Sequence, residues 1–453
     1  MNPSSISTIA EMSGARLLTG NPESTVMRVC KDTRTVCPGD LYIALRGENF
    51  DGNRFIAEAA AKGAVGALCD AEAPSGLPVE FGILGTADAL TGLTYLASAW
   101  RSRLNLRPVV VTGSSGKTSV KDFTATVLGS RFRTTATKGN LNNQIGLPLS
   151  ILDANLEDEA AVWEIGMNHR GEIAPLAGLA KPEIGIITGI GTAHIEFLGS
   201  QEEIAREKGD LLERLPNSGA AIIPAEDSFA GELRNRTSAR VLGVGFVHGD
   251  LRAVSIRQEI EGSRFFIEGE FGRAEAFLPV PGRHMIGNAL MAVAAGLLSG
   301  ISLDDCVAAL ANVALTSGRL GRVVKRGVNI LDDTYNANPD SMVAALETLH
   351  SMPSSGRRIA VLGKMGELGV HASEGYRRVG EKAAETLDTL ICVGSEAEAI
   401  AVAAGSKGLQ DVKTVAENGE AARLLSSLSR EGDLVLLKAS RSARLEEVLH
   451  QFI

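Results

Sequence analysis

The stretch that most limits what this chain can fold into is VVVTGSSGKTS at residues 109–119. Three β-branched residues read as a buried strand. Gly113, Ser114, Ser115, Gly116, Lys117, Thr118 and Ser119 follow, and a helical pattern comes next. Strand, glycine loop, lysine, hydroxyl and helix is the layout of a phosphate-binding loop. Glycines let the backbone turn its N–H groups onto an anion, and the helix N-terminus adds its partial positive charge. In such a loop Lys117 reaches the outer phosphates of a nucleotide and Thr118 offers its hydroxyl to Mg²⁺. The common spacing places four residues between the glycines, whereas here there are two, Ser114 and Ser115.

A chain of 453 residues is too long for one hydrophobic core, so two to four domains are expected. The net charge of −9 argues against a nucleic-acid or anionic-membrane surface as the main partner. Anionic substrates then need local basic loops. The five cysteines are scattered with no C-x-x-C pair, which supports neither a disulfide framework nor a zinc site. The N-terminal stretch lacks a basic region followed by an apolar run, and the apolar helix over 289–298 is too short to span a bilayer. A cytoplasmic protein without stable membrane insertion is expected.

The first segment, residues 1–84, reads as short strands at 26–29, 41–45 and 64–68, with a helix over 54–62. The loops at strand ends are polar: Asp32, Thr33 and Arg34 after one, Arg46 and Gly47 after the next. Such loops hold ligands in many folds. The arginines can meet phosphates and Gly47 would permit close approach, although solvated loop charge explains these residues equally well. A composition change at 71–76 marks the last loop, and a helix over 86–104 leads on.

In the central segment, 85–315, the phosphate-loop helix over 119–128 turns Val120, Phe123, Thr124, Val127 and Leu128 inward. The loop over 137–148 carries Asn140, Asn142 and Asn143, whose amides can bind carbonyl and phosphate oxygens. Glu164 ends a buried strand over 160–167, at the edge where a parallel sheet holds ligands, and is placed to reach a metal at Thr118. His194 follows the strand over 184–188 at the same edge. The helix over 201–215 has an apolar stripe of Ile204, Leu211, Leu212 and Leu215. Lys208 lies on that stripe, while Arg206, Glu207 and Asp210 lie off it. A bare buried ammonium is costly unless paired. The chemistry leaves two solutions open. One is snorkelling or pairing with Glu164. The other is carbamylation by CO₂, which needs the neutral amine and creates an anion able to ligate Mg²⁺. Asn288 opens the apolar helix and can read an adenine edge or merely pack.

In the last segment, 316–453, strands at 328–331, 359–362, 389–393, 412–415 and 434–437 alternate with helices at 341–349, 374–386, 396–403 and 419–428. That alternation predicts an open, doubly wound α/β sheet. Its strand-end loops are again polar, and Lys438 and Arg441 are expected to face one crevice with neighbouring carboxylates.

Together these stretches resemble the Mur ligases of peptidoglycan synthesis, and within that family the ligases that add D-alanyl-D-alanine. The resemblance spans nearly the whole chain. It rests on TGSSGKTS at 112, KGNLNNQIGLP at 138, WEIGMN at 163, TAHIEFLGS at 192, the Lys208 helix, GRHMIGNAL at 282, SGRLGR at 317 and DDTYNANPDSM at 332. The short phosphate loop is the form these ligases use. The resemblance implies a three-domain α/β fold: a small mixed N-terminal domain for the UDP-muramoyl peptide, a central ATP-binding domain, and a C-terminal Rossmann-like domain. It implies ATP and Mg²⁺, with UDP-N-acetylmuramoyl-tripeptide and D-alanyl-D-alanine as substrates and a monomer as the working state. By motif, Lys117 and the loop amides would hold the phosphates, and Thr118, Glu164, His194 and a carbamylated Lys208 would serve metal sites. Asn288, Arg319 and Asp333 would contact the nucleotide, and Tyr335, Asn336, Asn338, Lys438, Ser440 and Arg441 the substrates. Three positions depart from the family pattern, Lys364, Tyr376 and Ala439, all in the dipeptide domain. A ligase adding a single amino acid and an ATPase that senses nucleotide without ligating are the alternatives. The first lacks its Asp-Asn-Pro-Arg motif here, and the set Lys117, Thr118, Glu164, His194, Lys208 argues against the second.

Overall fold

The structure is a computed structural model that describes residues 1–70 and 74–452. The first half of the expected loop at 71–76 therefore lies outside the described residues. Contacts divide the chain into two compact units. One comprises Met1–Val110, Phe132–Gly166 and Ala174–Pro182; the other comprises Val111–Arg131, Met167–Ile173 and Glu183–Ile453.

The first unit contains a five-stranded sheet in the order Arg16–Thr19, Gly82–Gly85, Gly66–Cys69, Asp40–Ile43, Arg28–Cys30. The first strand is antiparallel and the others are parallel. The strand expected at 26–29 is broken at Met27, whose N–H leaves its strand for the Gly39 carbonyl at 2.8 Å. Helix Ile6–Ser13 lies on this sheet, and Ser5 caps it by accepting the Thr8 N–H. A Cβ on Gly82 or Gly66 would stand 2.7 or 2.8 Å from the Ile6 Cδ1, so the glycines form the floor on which Ile6 sits. Tyr42, Ile56, Phe81 and Ile83 form a core on this sheet. Helix Ala89–Arg103 is capped by Asp88 and buries Leu93, Leu96 and Trp100, whose indole N–H donates to the Ala154 carbonyl at 2.9 Å. Strands Thr134–Ala136 and Ala160–Glu164 pair in parallel.

In the second unit the strand ending at Thr112 runs into the phosphate loop, and helix Lys117–Gly129 begins at the lysine, two residues before the start read from the apolar pattern. The five residues expected to turn inward are buried, and Thr118, Ser119 and Lys121 are buried with them. Strands Ile184–Ile187, Ala220–Pro224, Arg240–Gly245 and Leu251–Gln258 pair in parallel, and two antiparallel strands to Leu278 complete them. Helix Arg283–Leu298 is buried along most of its length because its neighbours cover it on several sides. Gly296 lets it meet the phosphate-loop helix, since a Cβ there would be 2.5 Å from the Val127 Cγ1.

A six-stranded sheet follows in the order Gly321–Lys325, Val328–Asp333, Leu434–Lys438, Arg358–Leu362, Thr389–Val393, Val412–Val415. All pairs but the first are parallel, as the alternation of strands and helices predicts. Asp333 and Leu362 both register with Lys438, so three strand ends, two of them charged, share one edge. Among the described residues, no helix is long and apolar enough to cross a membrane.

Candidate functional site

The phosphate loop owes its shape to its glycines. Gly113 has φ +150°, and a Cβ there would lie 1.9 Å from the Thr188 Oγ1. Gly116 sits at the helix N-cap with φ +84°, where a Cβ would lie 2.7 Å from the Asn288 Oδ1. Asn288, expected to read an adenine, is thus buried directly over the loop. Neighbouring loop groups brace the turn. Ser114 N–H donates to the Gly189 carbonyl at 2.9 Å, the Gly191 N–H donates to the Ser114 Oγ at 2.9 Å, and the Thr188 hydroxyl donates to the Ser115 carbonyl. Lys117 folds back so that its Nζ donates to the Gly113 carbonyl at 2.8 Å. The first-turn amides and the helix dipole meet in this loop, which suits it to a phosphate.

Lys208 is a fully buried charged side chain of this unit. It sits on helix Gln201–Glu213 and has no exposed surface, and among the described residues its Nζ has no hydrogen-bond partner. Full burial rules out snorkelling. Desolvation pushes its pKa well below the ordinary lysine value, the nearby Lys117 charge pushes the same way, and Glu207 opposes. The result is an amine poised to be neutral.

Glu207 overturns its expected place off the buried face. It is buried, and its two carboxylate oxygens accept the backbone N–H groups of Gly171, Glu172 and Ile173 at 2.8–2.9 Å. The segment 171–173 packs over the helix and turns a nominally outward residue inward. Helical periodicity alone carries no signal of such a cover.

His194 is a second strained point, in the left-handed region at φ +64°. Its Nδ1 stands 2.6 Å from the Glu367 Oε2, and this approach of the imidazole holds the Glu367 carboxyl below its ordinary range despite partial burial. Lys438, nearly buried, pairs with Asp333 at 2.5 Å and donates to the Asn336 carbonyl at 2.9 Å. Residues expected to serve nucleotide and dipeptide separately are therefore one ion pair. The Arg319 guanidinium lies 4.3 Å from the Tyr335 ring centroid, a cation–π contact. Asn338 caps helix Pro339–Ser351 and donates from Nδ2 to the Ser115 Oγ at 3.0 Å. Ser440 is buried with its N–H on the Lys364 carbonyl, whereas Arg441 is exposed and pairs with Glu446 at 2.8 Å. The three departing positions are neighbours in the fold. The Tyr376 hydroxyl accepts from the Met365 N–H at 2.9 Å and donates to its carbonyl at 3.1 Å, and a Cβ on Gly363 would lie 2.8 Å from the Ala439 Cβ.

In the first unit Glu164 is buried, accepts from the Asn142 Nδ2 at 2.8 Å, and is anchored by its own N–H on the Thr137 Oγ1 at 3.0 Å. Asn143 instead caps local backbone, accepting from Ile145 and Gly146, and Asn140 is exposed. Asp32 caps the turn Thr33–Thr35 and holds Arg34 at 2.6 Å, so that charge is already matched. Arg46 pairs with Asp70 at 3.0 Å. Among the described residues nothing lies within 4 Å of where a Gly47 Cβ would stand, so no close approach to them requires that glycine.

Comparison with known proteins places this geometry. The Mur ligase middle domain matches residues 111–296, the Mur ligase glutamate ligase domain matches 318–441, and the Mur ligase family catalytic domain matches 25–87. The UDP-N-acetylmuramoyl-tripeptide–D-alanyl-D-alanine ligase of Bacillus subtilis is 35% identical over 99% of this chain and 98% of its own length. The chain belongs to the Mur ligase family. Among solved structures of the family, MurF from Acinetobacter baumannii matches with a TM-score of 0.90 at 30% identity, covering 100% of this chain and 99% of that one. The MurF ligase of Thermotoga maritima in complex with ADP matches with a TM-score of 0.83 at 28% identity, covering 94% and 96%. The three matched segments give this Mur ligase the three-domain α/β architecture expected of it.

Proposed function

We propose that this chain is the ATP-dependent ligase that joins D-alanyl-D-alanine to UDP-N-acetylmuramoyl-tripeptide, releasing ADP and phosphate. The observation that carries this reading is likeness over 99% of the chain to a ligase of that name. The phosphate loop and the buried amine of Lys208 supply the chemistry it needs.

A carboxylate is a poor electrophile at neutral pH. An oxygen of the tripeptide's terminal carboxylate attacks the γ-phosphorus of ATP, and ADP leaves from an acyl phosphate. The free amine of D-alanyl-D-alanine attacks the acyl carbon, the C–O bond to phosphate breaks, and the amine gives up a proton. Positioning and charge neutralisation dominate phosphoryl transfer. Lys117 and the loop formed by Gly113, Ser114, Ser115, Gly116 and Ser119 hold the phosphates. Asn288, Arg319 and Asp333 hold the nucleotide. Residues 1–84 form the UDP-muramoyl-peptide domain through Asp32, Thr33, Arg34, Arg46 and Gly47. Residues 85–315 form the ATP-binding domain, where Asn140, Asn142 and Asn143 meet substrate. Residues 316–453 bind the dipeptide through Tyr335, Asn336, Asn338, Lys438, Ser440 and Arg441.

Among the described residues, no group of three or more His, Cys, Asp or Glu side chains is disposed to cage a metal. A Mg²⁺ that keeps its waters and substrate phosphates needs only one or two protein oxygens, and that fits this donor set. Thr118, Glu164 and His194 would hold it, with a Lys208 carbamate, and it would neutralise developing phosphate charge. Carbamylation joins the neutral amine to CO₂ and releases a proton. The partnerless, desolvated Lys208 is the observation that fits it. The chain acts in the cytoplasm as a monomer on this reading.

The test is phosphate release that requires both the UDP-muramoyl tripeptide and D-alanyl-D-alanine, with product mass as the readout. Lys117→Ala abolishes it. A single amino acid accepted in place of the dipeptide points to the other ligase type, and steady ATP turnover without either substrate points to a sensor.

A further inference from the structure

Helix Pro339–Ser351 begins with Asn338 as its cap and an acidic residue, Asp340, in its first turn. An acid there ordinarily serves its own helix dipole. The Asp340 carboxylate does something else. Its Oδ2 accepts both the Thr192 N–H at 2.8 Å and the Thr192 hydroxyl at 2.9 Å, and its Oδ1 accepts from Arg378 at 2.7 Å. The adjacent Gly191 has no room for a side chain, because a Cβ would stand 2.5 Å from that same Oδ2. Gly191 in turn donates its N–H to Ser114 of the phosphate loop, and Asn338 reaches Ser115 in the same loop. Two residues after Thr192 comes His194, in a left-handed conformation that its surroundings must hold. The first turn of one helix, from the segment 316–453, thus grips two loops of the segment 85–315.

We propose that Asp340 is a positioning residue: it clasps the 189–194 loop to the phosphate loop and so sets His194 and the first-turn amides for phosphoryl transfer. The inference rests on the ligase reading above for its kinetic consequence, and on geometry alone for the clasp. Both carboxylate oxygens of Asp340 are taken up by Thr192 and Arg378. Its loss therefore lowers turnover and leaves nucleotide affinity nearly unchanged. Two charge-assisted bonds to one residue correspond to about a ten- to hundredfold effect.

The experiment compares wild type, Asp340→Ala, Asp340→Asn, Thr192→Val and the Ala/Val double variant. Ligation kinetics with ATP, the UDP-muramoyl tripeptide and D-alanyl-D-alanine are measured beside amide hydrogen exchange. Asp340→Ala lowers kcat about ten- to hundredfold with KM for ATP within about threefold. Thr192→Val lowers kcat less, because its N–H remains, and adds nothing to Asp340→Ala, since the two act as one unit. Asp340→Asn, which keeps one acceptor oxygen, recovers part of the loss. Exchange at the Thr192 amide quickens in Asp340→Ala, while the Ile190 amide, held by Asp227 at 2.8 Å, does not change. A wild-type kcat in Asp340→Ala, independent multiplication of the two losses, or an unchanged Thr192 exchange rate overturns the clasp. Failure of the wild type to ligate overturns the ligase reading, and the exchange arm still decides the clasp.

Discussion

Replacing Lys208 by methionine should make the protein more stable and inactive at once. Lys208 has no exposed surface and, among the described residues, no hydrogen-bond partner, and on its own helix it stands one turn from both Ile204 and Leu212. Methionine has similar length, is flexible, and carries no group that must be solvated. Burying an amine without a partner costs roughly 1–3 kcal/mol by the protein mutational scale. Removing it also removes the repulsion from Lys117, at the loss of a smaller attraction to Glu207. A gain of that size raises the apparent melting midpoint by about 2–4 °C per kcal/mol in a domain of this size. The melt is followed in CO₂-free buffer and again with bicarbonate. Lys208→Met melts higher than wild type without CO₂. Bicarbonate raises the wild type alone, because a modification confined to the folded state adds stability by mass action. Ligation falls below detection in the variant, and short carboxylates restore part of it in Lys208→Ala, where there is space for them. A lower midpoint for Lys208→Met in CO₂-free buffer would refute the reasoning, since it would mean that the amine already has a stabilising partner.

Two further outcomes follow from single residues. Gly113→Ala places a Cβ 1.9 Å from the Thr188 Oγ1 at φ +150°, a backbone strain of about 1–3 kcal/mol before the clash is counted. Calorimetric titration with ADP should show at least a tenfold loss, while Gly405→Ala, in a helix with open space around it, leaves affinity unchanged. His284 keeps some solvent exposure but is enclosed enough that desolvation, opposed by Asp333 and helped by Lys438, lowers its pKa from 6.5 to about 4. The unfolded chain therefore binds a proton that the folded one refuses between those values, and stability falls as the pH drops from 6.5 toward 4, by about 3 kcal/mol at most. His284→Gln should flatten that part of the urea-midpoint profile relative to wild type, and an unchanged difference between pH 7 and 5 would exclude the assignment.

The parts of this fold that were readable in sequence are those where one short-range rule decides. Parallel strands buried on both faces are continuous apolar runs, which is why 359–362, 389–393 and 434–437 stand out. Lys208 stands out because two leucine-class residues flank it one turn away on each side. Glu207, one residue earlier, has the same helix and the opposite fate, because a segment more than thirty residues away supplies three N–H groups to it. Helical periodicity cannot report a cover that comes from another part of the chain. The short strands Arg46–Gly47 and Phe50–Asp51 were unreadable for a related reason, since two residues carry no period.

The same distinction separates the charged residues expected around the substrates. Lys438 and Arg441 look alike in sequence, three positions apart after one strand. In the fold Lys438 is nearly buried, held by Asp333 and by the Asn336 carbonyl. Turning it toward a substrate would strand Asp333 without its partner, and breaking a buried pair in that way costs ~3–5 kcal/mol. Arg441 is exposed, and its pair with Glu446 is of the kind that solvent and salt already weaken. An incoming carboxylate would therefore recruit Arg441 at less expense than Lys438. Lys438 also fixes Asp333 and the 335–338 loop, which carries Asn338 to Ser115 and Asp340 to Thr192. Anion recognition in a chain of net negative charge then depends less on how many cations a loop contains than on which of them the fold has left cheap to move.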